Sequence, residues 1–331
     1  MGVRLKEREI LLIESLSVYF YTYSGIVKAV EDLDLSIYEG ECFGLVGETG
    51  CGKSTLMKAV LRLIPPPGKI VKGKVLFKGI DLTKLSEQQL QKIRGYKISM
   101  VFQEPSSALD PLFNNGYQIV ETILSHEKIA QKNAWKKALS LLRTVKIPEA
   151  ERRLYQYPHE LSGGMKQRIV ISIALAGKPD IIIADEPTTA LDVTIQAQIL
   201  DLLKELQKKY KTTLVIITHN LGIVAEYCDR IGVMYAGKLI ELGSTLQIFE
   251  NPLHPYTKGL LAAVPKISSK REKLASIPGT VPNLINPPSG CRFHPRCRYA
   301  TDRCKKEVPK LLEVEPGHKV ACHLYNGENN G

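Results

Sequence analysis

The 331 residues include 44% hydrophobic and 24% charged side chains, ordinary proportions for a folded protein, so a disordered or fibrous chain is excluded. At roughly 150 residues per domain the length suggests about two domains. The net charge of +11 leaves nucleic acid, an anionic membrane surface, a phosphorylated ligand and an acidic partner all open. The longest apolar stretches, such as Ile169–Ala176 broken by Ser172, are too short for a transmembrane helix. The charged N-terminus Met1–Arg8 has no apolar core, so no secretory signal is expected and the chain is placed in the cytosol. Seven cysteines there point to free thiols or a metal site rather than disulfides.

In chain order, Cys42–Val46 reads as a short buried strand. Gly52–Ile64 reads as a helix stopped by Pro65, Pro66 and Pro67. Lys74–Phe77 is a second strand, and Ser86 with Gln89 has capping-box spacing that opens a short helix. Ile98–Phe102 is strand-like. From about Glu104 to Glu160 strand signals fade into a segment rich in Lys, Gln, Leu and Ala, an inserted helical subdomain. Ile181–Ala184 and Thr213–Ile217 are apolar throughout, as central strands of a parallel sheet buried on both faces. This alternation predicts an α/β domain over 1–250, with the helical subdomain at about 104–160. Near Asn251 the texture changes. Prolines recur from Pro265 to Pro288, and four of the seven cysteines fall in Cys291–Cys322, so 251–331 reads as an appended module with little regular structure.

Gly47, Gly52, Lys53 and Ser54 have the spacing of a phosphate-binding loop, between a predicted strand and a predicted helix. Such a loop, here Gly47, Thr49, Gly50, Cys51, Gly52, Lys53, Ser54 and Thr55, turns backbone N–H groups toward phosphates at a helix N-terminus. Lys53 reaches the β- and γ-phosphates, and the Ser54 hydroxyl ligates Mg²⁺. The strand at Ile181 ends in Asp185 and Glu186. Asp185 suits Mg²⁺, and the adjacent Glu186 suits polarisation of an attacking water, a pair that favours hydrolysis over mere binding. Ser162, Gly163 and Gly164 precede a helix and form a second anion site. Taken alone they make an ordinary capped helix start. If Lys53 already holds the nucleotide, the simplest use of the second site is two chains head to tail, each closing over its partner's γ-phosphate.

These elements, with Gln103 after a strand, Leu161–Met165, Ala190-Leu191-Asp192 and His219 after a strand, occur in the order found in ATP-hydrolysing subunits of ATP-binding-cassette (ABC) transporters, which the chain resembles over about residues 9–250. One departure is Met165, where the family most often has Gln. The resemblance implies a P-loop NTPase cassette using ATP and Mg²⁺. Gln103 would contact Mg²⁺ and the water and link catalysis to the helical subdomain; Glu186 would be the general base; His219 would contact the γ-phosphate; Asp192 would cross the dimer interface. It also implies an aromatic ring on adenine, for which Tyr23 is chosen, with Tyr21 its rival. A non-catalytic cassette is disfavoured because Glu186 and His219 are intact.

Asn251, Pro252, His254, Pro255, Tyr256 and Thr257, then Ile277-Pro278-Gly279, then Cys291–Cys297 resemble the C-terminal extension of oligopeptide and dipeptide importer ATPases. This implies a peptide importer with two membrane permeases, a second ATPase subunit as head-to-tail dimer partner and an extracytoplasmic substrate-binding protein, the chain lying at the cytoplasmic face of the membrane as a peripheral subunit. Oligosaccharide or nickel cargo is the alternative within the subfamily. A soluble ABC ATPase acting on nucleic acid is the alternative outside it, disfavoured by a single cassette and the lack of a long heptad run, so no nucleic-acid partner is expected. The helical subdomain would receive a coupling helix from the permease. The spacing of Cys291, Cys297, Cys304 and Cys322 matches neither paired zinc motifs nor ferredoxin runs. The resemblance implies a [4Fe–4S] cluster on these four, with zinc as the alternative and His294, His318 and His323 as substitute ligands. Arg292, Arg296, Arg298, Arg303, Lys305 and Lys306 would offset the thiolate charge.

Overall fold

The computed structural model describes residues 8–189, 191–263 and 277–325; Ala190 and Pro265 lie outside them. The described residues pack as two compact units, the first drawn from 1–38, 43–83 and 218–331, the second from 39–42 and 84–217.

The first unit opens with an antiparallel hairpin, β1 (Glu9–Thr22) and β2 (Gly25–Tyr38). Next come β3 (Cys42–Val46), α1 (Lys53–Val60), β4 (Gly68–Phe77) and β5 (Ile80–Asp81). One antiparallel sheet runs β2-β1-β4-β5. The hairpin is absent from the sequence reading for a physical reason. Ser15 (φ 47°) and Asp32 (φ 48°) sit in left-handed backbone, and the pairing shifts between Ile13 and Leu16 and again up to Tyr19, which breaks the two-residue alternation. Helix α1 ends short of the three prolines, where Arg62 turns left-handed at φ 50°.

The second unit begins with α2 (Glu87–Gln91), whose start is fixed by the reciprocal Ser86–Gln89 capping box. It continues through β6 (Ile98–Val101), α3 (Pro105–Ala108), α4 (Asn115–His126), α5 (Gln131–Thr144), α6 (Ala150–Arg153), α7 (Gly163–Leu175), β7 (Ile181–Asp185), α8 (Val193–Tyr210) and β8 (Thr213–Thr218). Strands β6, β7 and β8 pair in parallel, and every residue of β7 and β8 is buried, as their unbroken apolar runs require. The segment from Glu104 to Glu160 contains no strand, only helices, turns and short irregular connections such as 127–130.

The first unit then resumes with α9 (Leu221–Tyr227), β9 (Arg230–Tyr235), β10 (Lys238–Ser244), α10 (Thr245–Glu250), α11 (Pro255–Ala262), α12 (Asp302–Lys306), β11 (Leu312–Glu315) and β12 (His318–Val320). Strand β9 lies parallel to β3 and antiparallel to β10. The tail has more order than its composition suggests. Strand β12 pairs with β10 through Glu241↔Val320 and Leu242↔Lys319, and β11 pairs with β12. Both tail strands are short, and β12 gains its second partner, β10, from a chain segment some 80 positions away, a register invisible to local pattern. No described helix is long and apolar enough to cross a membrane.

A buried carboxylate fastens the tail to this sheet. Glu241 on β10 is fully buried. Its Oε1 accepts the Leu253 N–H (2.7 Å), its Oε2 accepts the His254 N–H (2.9 Å), and His318 Nε2 stands 2.9 Å from Oε1. His254 in turn caps α11, its Nδ1 accepting from the Tyr256 N–H at 3.0 Å, and burial pushes its pKa down to about 4, so the ring is neutral. Glu241→Ala removes one carboxylate and strands two amides and an imidazole together. It is expected to lower unfolding free energy by about 3–5 kcal/mol, measured by urea denaturation.

Candidate nucleotide site

The phosphate loop belongs to the first unit, between β3 and α1. Gly52, the N-cap of α1, has φ 103°, and a Cβ there would stand 2.3 Å from the Ala29 carbonyl oxygen. Gly47 has φ 153°, and a Cβ would stand 2.2 Å from the Met234 oxygen. These glycines are therefore required by close backbone approach as well as by φ. Lys53 is 5% exposed, and its ammonium donates to the Gly47 carbonyl (2.7 Å) and the Glu48 carbonyl (3.1 Å). Cys51 is buried, its Sγ 3.7 Å from the Lys53 amine, and burial pushes its thiol pKa up, so it serves as an inert packing group. Thr49 and Gly50 are exposed; Ser54 and Thr55 are half-buried in the first turn of α1.

Glu48 joins the loop to the tail, a link the sequence reading lacks. Arg296 holds its carboxylate with two prongs, Nη1 to Oε2 at 2.8 Å and Nη2 to Oε1 at 3.2 Å. The Glu48 N–H donates to the Tyr256 hydroxyl at 2.9 Å. Tyr256 packs with Tyr235 and Phe293 at ring separations of 4.6 and 5.5 Å. Burial opposes the Arg296 charge, but the hydrogen bonds to Glu48 and Tyr235 outweigh it and raise the guanidinium pKa.

The carboxylates stand in the second unit. Asp185, at the C-terminal end of β7, is 4% exposed. Glu186 takes a left-handed backbone, φ 45°, an uncommon conformation that its N–H bond to the Ile217 carbonyl (2.9 Å) helps hold. Its Oε2 accepts from Gln103 Nε2 at 3.1 Å and from the Thr189 hydroxyl at 3.0 Å. The structure thus brings Gln103 to Glu186 across 83 positions and adds Thr189, which the sequence reading did not single out. Ser162 caps α7, its hydroxyl accepting from the Met165 N–H at 3.4 Å, and Gly163 and Gly164 form the helix's first turn. Asp192 caps α8 by accepting from the Ile195 N–H at 2.9 Å. In the first unit, His219 is exposed between β8 and α9. Tyr23 sits fully exposed in the turn of the first hairpin, and Tyr21, on β1, has the Lys69 amine 5.9 Å from its ring.

Cys291, Cys297, Cys304 and Cys322 line one small cavity, about 20 Å³, together with His254, His294 and His323. That space holds about one water. Among the described residues no group of three or more His, Cys, Asp or Glu side chains that could hold a metal ion is present. The geometry therefore does not by itself show the [4Fe–4S] cluster or the zinc alternative expected from the sequence. Burial first, and the neighbouring thiols second, push the Cys291 and Cys322 pKa values up to about 11. His318 is committed to Glu241, and His254 takes its place at the thiols. Two of the arginines expected to balance the thiolates are turned elsewhere, Arg292 to Glu31 and Arg296 to Glu48.

Residues 30–189 match the ABC transporter family model, and residues 240–304 match the model of the oligopeptide/dipeptide transporter C-terminal region. The dipeptide transport ATP-binding protein DppD of Bacillus subtilis is 48% identical over 317 residues, 96% of this chain and 95% of that protein. The oligopeptide transport ATP-binding protein OppD of the same organism is 48% identical over 322 residues, 97% of this chain and 90% of that one. A dimeric ATP-binding cassette solved in a post-hydrolysis state with ADP and Pi superposes with a TM-score of 0.64 at 30% identity, covering 71% of this chain and 98% of that one. The chain belongs to the ATPase subunits of ABC transporters. Its reaction is ATP hydrolysis coupled to transport, and the family brings membrane permeases and a dimeric cassette with it.

Gly52→Ala tests the loop. The added methyl collides with backbone, so affinity for a fluorescent ATP analogue is expected to fall by about tenfold or more while the far-UV circular dichroism is kept.

Proposed function

We propose that this chain powers the import of dipeptides or oligopeptides. The observation that carries the reading is the tail. A cassette alone says nothing of cargo, but here it is continuous with a segment matching the oligopeptide/dipeptide transporter C-terminal region. The same match disfavours the reading as a nucleic-acid ATPase. Oligosaccharide or nickel uptake becomes an outcome of the test: deleting the gene should abolish uptake of labelled di- or oligopeptides and leave sugar and nickel uptake unchanged, and the opposite pattern overturns the assignment.

In the hydrolytic step, the loop N–H groups and Lys53 bind the β- and γ-phosphates. Ser54 and Asp185, a hydroxyl and a buried carboxylate, are hard oxygen donors suited to Mg²⁺, which when bound offsets charge on the phosphates. Glu186 accepts the proton of the attacking water, and Gln103 and Thr189, both hydrogen-bonded to it, aim its carboxylate. His219 contacts the γ-phosphate. Ser162, Gly163 and Gly164 present the start of α7 to the γ-phosphate held by a second ATPase subunit, and Asp192 lies at that interface. Tyr23 stacks on adenine, with Tyr21 as the alternative.

Two permeases hold the subunit to the cytoplasmic face, and an extracytoplasmic binding protein delivers cargo to them. Docking on the second unit is favoured by aromatic and aliphatic side chains left in solvent there: Leu112 (78% exposed), Tyr155 (65%), Phe113 and Tyr157. The finer reading of the tail, a metal centre on its four cysteines, rests on their sharing one cavity lined by no carboxylate. Iron with acid-labile sulfide, or zinc, at one centre per chain supports it; anaerobically purified protein free of both sinks it.

Glu186→Gln should retain ATP affinity, cut turnover by about 100-fold or more and accumulate an ATP-dependent dimer in size-exclusion chromatography. Near-normal turnover would remove Glu186 from the role of base. Lys53→Ala should instead lose nucleotide affinity.

A further inference from the structure

We propose that Arg296 is a positioning residue for nucleotide binding, acting from the tail through Glu48 of the phosphate loop. Every polar group of Glu48 is engaged. Its carboxylate is gripped by Arg296, its N–H by the Tyr256 hydroxyl, and its carbonyl by the Lys53 ammonium at 3.1 Å and the Cys51 N–H at 3.2 Å. Two of these four partners, Arg296 and Tyr256, come from the tail; the other two belong to the loop.

Arg296 is itself fixed. Its side chain is 5% exposed, its Nε donates to the Pro278 carbonyl at 2.8 Å, and Nη1 lies 3.4 Å from the Tyr235 hydroxyl. A planar fork held at its base and engaged bidentately leaves the carboxylate little freedom. The consequences for the loop are two. The Glu48 carbonyl helps place the Lys53 ammonium, so a shift of Glu48 shifts the cation that meets the phosphates. And Glu48 carries a negative charge five positions from Lys53, in a loop whose ligand is an anion. Paired with Arg296 the charge is balanced; unpaired, it opposes the nucleotide at short range. Arg296 precedes Cys297, so the folding of the cysteine-bearing segment sets where the guanidinium stands.

The inference rests on the assignment of Lys53 to the phosphates. The test measures KM and kcat for ATP in the intact chain, with the affinity of a fluorescent ATP analogue as an independent readout. Arg296→Ala should raise KM and weaken analogue binding by about tenfold, with kcat changed by no more than about threefold. Arg296→Lys should recover part of that loss. Adding Glu48→Gln to Arg296→Ala should recover most of it, because the unbalanced charge is then gone. Arg303→Ala, which breaks an exposed pair with Glu307 in the same tail, should leave KM unchanged. Wild-type KM in Arg296→Ala, or a defect that Glu48→Gln does not relieve, overturns the proposal. Should Arg296→Ala fail to fold, Arg296→Lys alone decides: its KM must rise in a fold of unchanged melting temperature. Lys53→Ala, measured alongside, separates the two readings, since unchanged affinity there would overturn the phosphate assignment rather than the role of Arg296.

Discussion

The first unit is organised around the close approach of other backbone to the phosphate loop. Met234 and Ala29 carbonyls press on Gly47 and Gly52 so tightly that no side chain fits between. A loop built of glycines loses more entropy on ordering than any other and cannot hold its own shape. The restraint arrives from β2, from β9 and from the tail, which supplies a hydroxyl to the Glu48 amide and a guanidinium to its carboxylate. The anion-binding geometry is thus a property of the tertiary structure. The sequence motif specifies only that the loop is able to adopt it.

Legibility followed from how local each signal was. Strands β3, β7 and β8 are unbroken apolar runs bounded by glycine, carboxylate or threonine, and burial on both faces forces that composition. The capping box at Ser86 lies within four residues and was equally plain. The first hairpin was not legible, because its bulges interrupt the alternation that would announce it. Nor was the tail hairpin, which depends on the distant edge of β10. The link between Gln103 and Glu186 spans 83 positions, and only resemblance to a family pointed to Gln103; Thr189 had no signal beyond lying three residues from Glu186. Arg296 and Glu48, 248 positions apart, carry no shared pattern at all.

The tail shows how composition misleads when charges are counted without partners. Seven basic and two acidic residues between Cys291 and Lys310 look like a positive surface. Two of those arginines are almost wholly buried and spent on carboxylates of the same unit, Arg292 on Glu31 and Arg296 on Glu48. Arg303 and Lys305 pair with Glu307 and Asp302 at the surface. What remains free to attract an anionic partner is much smaller than the count.

Burial also determines what these pairs do. An exposed pair such as Arg303–Glu307 contributes little and is screened by salt. A guanidinium stripped of water must keep its carboxylate, since losing it leaves a buried charge unmatched. Arg292 and Arg296 therefore bind the tail to β2 and to the phosphate loop respectively, at fixed geometry. The charge that looked like a field directed outward acts inward. It makes the position of the nucleotide loop conditional on a folded tail, so a cassette with its tail unfolded would keep every residue of the phosphate motif and lose the support that shapes it.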